Sequence, residues 1–293
     1  MQFGIFSVGD VTPDPVNGTT VSEHERIRNT VEIATKAEEV DLDVFATGEH
    51  HNPPFVPSSP TTTLAYIAAQ TEKLILSTST TLITTNDPVK IAEQAAYYGD
   101  GFFHNHIFWN KEHTEAMVQL YRRRFEFYGH GAADQAYVGL GGQVFMAGSE
   151  AEAKRVFRPY FDNAPVYGHG PSLEDFTKMT PLTVGTTEQV IERTLGFADY
   201  VGDYQRQMFL IDHAGLPESL VLEQVEMLGT EVVPVLRAEF ERRRPAHVPS
   251  DPPTHATLVA AGPDAPHHLV EPAREHVEKL QAEQAAQPAG ASA

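Results

Sequence analysis

The chain has 293 residues, 41% of them hydrophobic, which is enough for one large core or two modest ones. Its 40 acidic against 21 basic residues give a formal charge of -19, which repels phosphate backbones and anionic lipid surfaces, so neither nucleic acid nor membrane is an expected partner. The absence of cysteine excludes disulfides, thiolate nucleophiles and cysteine-ligated metal centres, and a strand that begins at Met1 without a basic, apolar leader reads as a soluble cytoplasmic protein.

An apolar run at 2–8, QFGIFSV, predicts a first strand, and SEHERIRNTVEIATKAEEV at 22–40 predicts a helix whose Ser22 and Glu25 form a capping box. A second strand at 42–48, a helix in SSPTTTLAYIAAQT and a β-branched strand at 74–84 repeat the unit. A helix in NDPVKIAEQAAYYGD, a strand in GFFHNHIFW, a helix in EHTEAMVQLYRRRFEFYG, a strand in YVGLGGQVFMA and a helix in EAEAKRVFRPYF follow. A helix at about 187–201, a strand at 206–212 and a helix at about 217–243 complete six strands in βα order. Near-continuous apolar strands suit a parallel sheet buried on both faces. The expected fold class is therefore α/β, a (β/α) barrel or its derivative rather than an open doubly wound sheet. From 245 to 293 the character changes, with eight of the 21 prolines, so a Pro/Ala-rich flexible tail is expected behind a barrel domain at 1–244.

In such a fold the chemistry gathers at the C-terminal ends of the strands. Glu49, His50 and His51 fall at that end of the second strand, in GEHHNPPFVPSSP at 48–60. An imidazole titrates near neutrality and can trade a proton with a substrate, and Glu49 can orient one through a hydrogen bond; capping of the strand end and its loop is the purely structural alternative. His104 and His106 stand two apart in FFHNHIFW, on one face of a strand, and with Trp109 suit the wall of an aromatic substrate pocket. Joined by His50 or His51 and a carboxylate they also match a zinc or iron site, which makes a His-based metal hydrolase the third-ranked function. GLGG at 139–142 lacks the strand-turn-helix context of a dinucleotide fingerprint, and YGHGPSLEDF at 167–176, with Ser172 as an N-cap, reads as a mobile lid.

GEHHNPPFVPSSP and LILSTSTTLITTNDPVKIAE resemble the bacterial-luciferase-like, FMN-dependent monooxygenases, most closely the CE-type subgroup that is partnered with its own flavin reductase. The resemblance covers most of residues 1–260, including MQFGIFSVGDVTPDP, AEQAAYYGDGFF, FRPYFDNAPVYGHGPSLEDF, GDYQRQMFLIDHAGLP and RPAHVP. It implies a (β/α)8 TIM-barrel-like fold and a homodimer formed through the second and third helices. It implies reduced FMN, supplied by an NAD(P)H-dependent FMN reductase, and transfer of one oxygen atom of O2 to a small organic substrate. Among the residues, it implies proton management by His50 with His51 and Glu49 beside it, and Ser79, Thr80 and His51 against the flavin, with a non-proline cis peptide near Ser79 and no metal.

The chain departs from the family at one point. NDPVKIAE and IAEQAAYYGDG, which lie on different helices there, are fused here at 91–93, so the fourth and fifth βα units, on the order of 60 to 90 residues, are expected to be missing. With them go a Gly-Arg-Gly turn and a serine-bearing turn that in the family help to hold the flavin phosphate. The alternative function is accordingly a truncated, non-catalytic flavin-binding paralogue.

Overall fold

The computed structural model of the chain describes residues 1–79, 88–164, 170–252 and 278–279, the side chains of 88–91 aside. β1 (Gln2–Ser7), β2 (Val44–Thr47) and β3 (Ile75–Thr78) are joined through helices α1 (Glu23–Glu39) and α2 (Pro60–Ala68). The expected capping box starts α1, Ser22 accepting from the Glu25 N–H while the Glu25 carboxylate accepts from the Ser22 N–H. After α3 (Pro88–Tyr98) come β4 (Phe102–His104), α4 (Lys111–Phe127), β5 (Val138–Met146), α5 (Glu150–Asn163) and α6 (Leu173–Met179). The last elements are β6 (Thr183–Gly185), α7 (Thr187–Val201), β7 (Arg206–Leu210), α8 (Glu218–Met227) and α9 (Val233–Arg243).

The strands pair in parallel in the order β3-β2-β1-β7-β5-β4, with β6 attached to β5. This is the expected α/β arrangement with one strand more than the sequence pattern reveals, because three residues of β6 are too few for periodicity to register. β5 is long enough to serve two neighbours in succession, residues 139–143 lying beside β7 and 144–146 beside β6. The pairing path ends at β3 and β4, and among the described residues neither has a second neighbour.

Alternation of side chains divides the core into two layers. Phe3 and Ile5 of β1, Phe45 of β2, Leu140 of β5 and Phe209 of β7 pack beneath the helices against Ile33, Tyr121 and Val225. Phe6, Val44, Ala46, Met208 and Leu210 face the inner side of the sheet together with Ile107.

Three local expectations change. β4 stops at His104 because the chain turns at once, the Trp109 N–H donating to the His106 carbonyl at 2.8 Å. The helix expected at 217–243 is α8 and α9 joined by a π-helical turn, Leu228–Val232. Residues 245–252 do not begin a loose tail: Val248 is buried, Gln205 Nε2 donates to the Pro249 carbonyl at 3.1 Å, and the Met1 ammonium pairs with Asp251 at 2.8 Å. Apart from 278–279, the remainder of the expected tail lies outside the described residues. No described helix is long and apolar enough to cross a membrane.

Candidate functional site

Because all strands run parallel, the segments that follow them meet at one edge of the sheet. The loops after β1 and β2 clasp each other there. Val11 N–H donates to the Pro54 carbonyl at 2.8 Å, Val56 N–H donates to the Gly9 carbonyl at 3.0 Å, and Asp10 and Phe55 form an antiparallel bridge. His50 is fixed inside this clasp: its N–H donates to the Pro57 carbonyl at 2.9 Å, and its ring stacks on Phe55 with centroids 4.1 Å apart. Burial first, and the adjacent His51 second, hold its pKa below the ordinary imidazole value, so His50 is neutral at pH 7.

Gly48 leaves the space that His50 borders. A Cβ there would lie 2.8 Å from the Ser79 carbonyl oxygen and 3.3 Å from His50 Nε2, so Gly48, Ser79 and His50 converge on one point beyond the ends of β2 and β3. Thr47, fully buried one residue earlier, has an Oγ1 with no hydrogen-bond partner among the described residues. Glu49 accepts from His51 Nε2 at 2.7 Å, so the carboxylate orients the exposed imidazole rather than His50. Thr80 lies outside the described residues, as does any cis peptide at its bond to Ser79; the cis bond among the described residues is Pro53–Pro54.

His104, His106 and Trp109 form a second group. His104 and His106 are buried, with ring centroids 6.3 Å apart; His104 also approaches His113 at 5.7 Å, His106 meets Phe197 edge-on at 4.9 Å, and Trp109 stacks on His113 at 4.3 Å. Burial pushes His104 down to about 4 and His106 to about 3. His104 shares its side of β4 with Phe102, which packs on Tyr121 of α4, so this group belongs to the helix layer, on the opposite side of the sheet from Phe103 and the inner-face cluster. Trp109 borders a cleft of about 600 Å³ beside α7, together with Lys111, Arg193, Phe197 and Tyr200. Among the described residues no group of three or more His, Asp or Glu is placed to hold a metal ion.

Sequence reasoning missed a third group, because its members are scattered along the chain without a motif. Ser7 Oγ donates to Asp212 Oδ2 at 2.5 Å, and Arg26, reaching in from α1, donates to the same oxygen at 2.8 Å and to the Asp10 and Asp212 carbonyls at 3.0 and 2.9 Å. Burial raises the Asp212 carboxyl pKa and pushes His213 beside it down to about 4. Arg26 is thereby committed to the protein's own oxygens. None of the segments 8–22, 48–59, 105–110, 147–149 and 211–217 that follow strands contains a Lys or Arg.

Sequence comparison matches the family described as luciferase-like monooxygenase to residues 1–97 and 93–204, so residues 93–97 are matched twice. No curated protein matches the chain. Among solved structures, the monooxygenase RslO1 from Streptomyces bottropensis superposes with a TM-score of 0.66 at 15% identity, over 80% of this chain and 99% of its own. The long-chain alkane monooxygenase LadA gives 0.55 at 11% identity, over 82% and 91%. The oxygenating constituent of 3,6-diketocamphane monooxygenase from the CAM plasmid of Pseudomonas putida, in complex with FMN, gives 0.53 at 13% identity, over 80% and 98%. At such identities the likeness is one of fold.

Proposed function

This chain belongs to the luciferase-like monooxygenase family, and from that premise we propose that it uses reduced FMN and O2 to oxygenate a small organic substrate, the reduced flavin coming from a separate NAD(P)H-dependent reductase in the cytoplasm. The observation that carries this reading is the convergence of Gly48, Ser79 and His50 Nε2 at the edge where the strands end. A backbone without a side chain at Gly48, beside the Ser79 carbonyl, suits the close approach of a flat ring. FMN, when bound, would supply the activation of oxygen. His50, held neutral by burial and aimed by its stack on Phe55, would accept and return a proton at Nε2. The Glu49–His51 pair would brace the loop from the solvent side. Trp109 would line the separate cleft beside α7, with His104 and His106 packed behind it in the helix layer, apart from the inner face that the flavin site borders.

The absence of Lys and Arg from the strand-end segments favours a second reading, a flavin-binding paralogue without catalysis. A missing pair of βα units accounts for it. The double match at 93–97 and a sheet that ends at β3 and β4 both support a chain in which α3 joins the front of one family helix to the back of a later one. Glu93 accordingly serves α4, accepting from Tyr128 Oη at 2.5 Å and pairing with Arg124 at 2.8 Å. Oxygen uptake after addition of photochemically reduced FMN, with product hydrogen peroxide measured in parallel, separates the two. Each reduced FMN consumes one O2 either way, so the peroxide decides. With substrate present, less than one equivalent of hydrogen peroxide per O2 supports the enzyme, because the oxygen atoms then leave in product and water, and bound flavin with a full equivalent of peroxide supports the paralogue.

A further inference from the structure

The inner face of the sheet is apolar around Phe6, Val44, Ala46 and Leu210. Its charged member on β7, Arg206, stands at the opposite end of the strand from the site, where it donates to Gln2 Oε1 at 2.6 and 2.8 Å. Two carboxamides interrupt this surface nearer the strand ends. Gln143 of β5 is fully buried and donates to the Ile107 carbonyl at 3.3 Å. Asn105 follows β4 and alternates with His104, so it takes the inner side with Phe103.

Gly141 of β5 makes the room for Asn105, since a Cβ there would overlap Asn105 Oδ1. That oxygen is shielded from solvent and has no hydrogen-bond partner among the described residues. A buried acceptor of this kind is expensive to leave unmade, and buried polar atoms without a partner are rare enough to need a reason. A strand position that combines a glycine, a carboxamide fitted into its hollow, and an oxygen awaiting a donor has the form of a ligand contact.

We infer that Asn105 is a specificity-determining contact of the site proposed above, accepting a hydrogen bond from an O–H or N–H group of an uncharged, otherwise apolar molecule that lies against the inner face. Among the described residues, the layer around Phe6, Val44, Ala46 and Leu210 supplies no counter-charge to a desolvated ion, which favours an uncharged ligand. The inference deepens the monooxygenase reading by naming its substrate class, and the binding preference it entails is measurable without turnover.

The test uses the full chain and two ring compounds of equal size, cyclohexanol, which has an O–H donor, and cyclohexanone, which has none. Each is titrated by ligand-observed NMR, with FMN fluorescence followed in the same samples. The expected result is that cyclohexanol binds about tenfold more tightly, the worth of one neutral hydrogen bond, and that Asn105→Leu abolishes the preference while cyclohexanone affinity is kept or rises. Gly141→Ala retains Asn105 but displaces its oxygen, and it should abolish the preference too, which covers the case in which Asn105→Leu does not fold. Binding of neither compound, equal affinity in the unaltered protein, or a preference that survives in either folded variant overturns the inference. FMN binding without a cyclohexanol preference removes the Asn105 assignment alone, and the preference without FMN binding removes the flavin reading alone.

Discussion

His50 owes its chemistry to its surroundings: the Phe55 stack aims the ring, and burial lowers its pKa. Replacing it with Ala should slow flavin-dependent oxygenation, read as product formed rather than O2 consumed, on the order of a hundredfold while leaving the melting temperature unchanged, whereas His51→Ala, at an exposed position, should cost far less. Loss of stability without that kinetic defect would assign His50 to bracing the loop. Three other imidazoles work on stability. His104 and His213 at about 4 and His106 at about 3 stay neutral in the fold, while in the unfolded chain they protonate near 6.5. Their folded pKa values are depressed, so below pH 6.5 the unfolded chain takes up protons that the fold refuses, and stability falls as pH falls. The upper limit is about 1.4 kcal/mol per pH unit for each ring. Asp212, whose carboxyl is raised by burial, acts with the opposite sign. Urea midpoints at pH 7 and pH 5 should therefore differ by an amount equivalent to several kcal/mol, and equal midpoints would contradict the burial of these rings.

At the scale of elements, β5 is the strand on which the others depend, since it pairs with β4, β6 and β7. Its last residue is held by a side chain from α8. Gln224 Oε1 accepts from the Met146 N–H at 2.6 Å and its Nε2 donates to the Met146 carbonyl at 3.0 Å, all of it buried. Gln224→Leu keeps the volume and strands both backbone groups, which should cost roughly 2–4 kcal/mol in chemical denaturation with the secondary structure retained. A change below about 1 kcal/mol would mean that water replaces the amide. β3 and β4 have the opposite character. β3 is only half buried and, like β4, has among the described residues one edge without a partner, which a closed barrel would have paired.

For the whole molecule these edges and the missing cations have measurable consequences. FMN carries a phosphate, and Arg26, the cation nearest the clasp, is already neutralised by Asp212. Titration should give FMN dissociation constants weaker than about 1 μM, because a phosphate without charged donors forgoes the stronger class of hydrogen bond. Sub-micromolar affinity would show that other groups hold it. The apolar strand edges, together with exposed Tyr66 on α2 and Tyr98 on α3, favour a second copy as their cover. Light scattering at micromolar concentration should report a dimer or larger, and a monomer that unfolds cooperatively would show that the six-strand path is self-sufficient.

The sequence by itself determined the order of the elements, the parallel α/β class, the Ser22 capping box and the placing of Glu49, His50 and His51 at a strand end, because each rests on local periodicity or on neighbours within a few residues. It also marked the family, through long contiguous stretches. The tertiary structure alone decided that Glu49 serves His51, that His104 and His106 turn into the helix layer while Asn105 takes the inner face, and that 245–252 pack beside Met1. It alone assembled Ser7, Arg26 and Asp212, up to 205 residues apart. Period-two alternation says that neighbours in a strand point to opposite sides, but which side is the inner one depends on what packs against each, and that is settled only when distant segments meet.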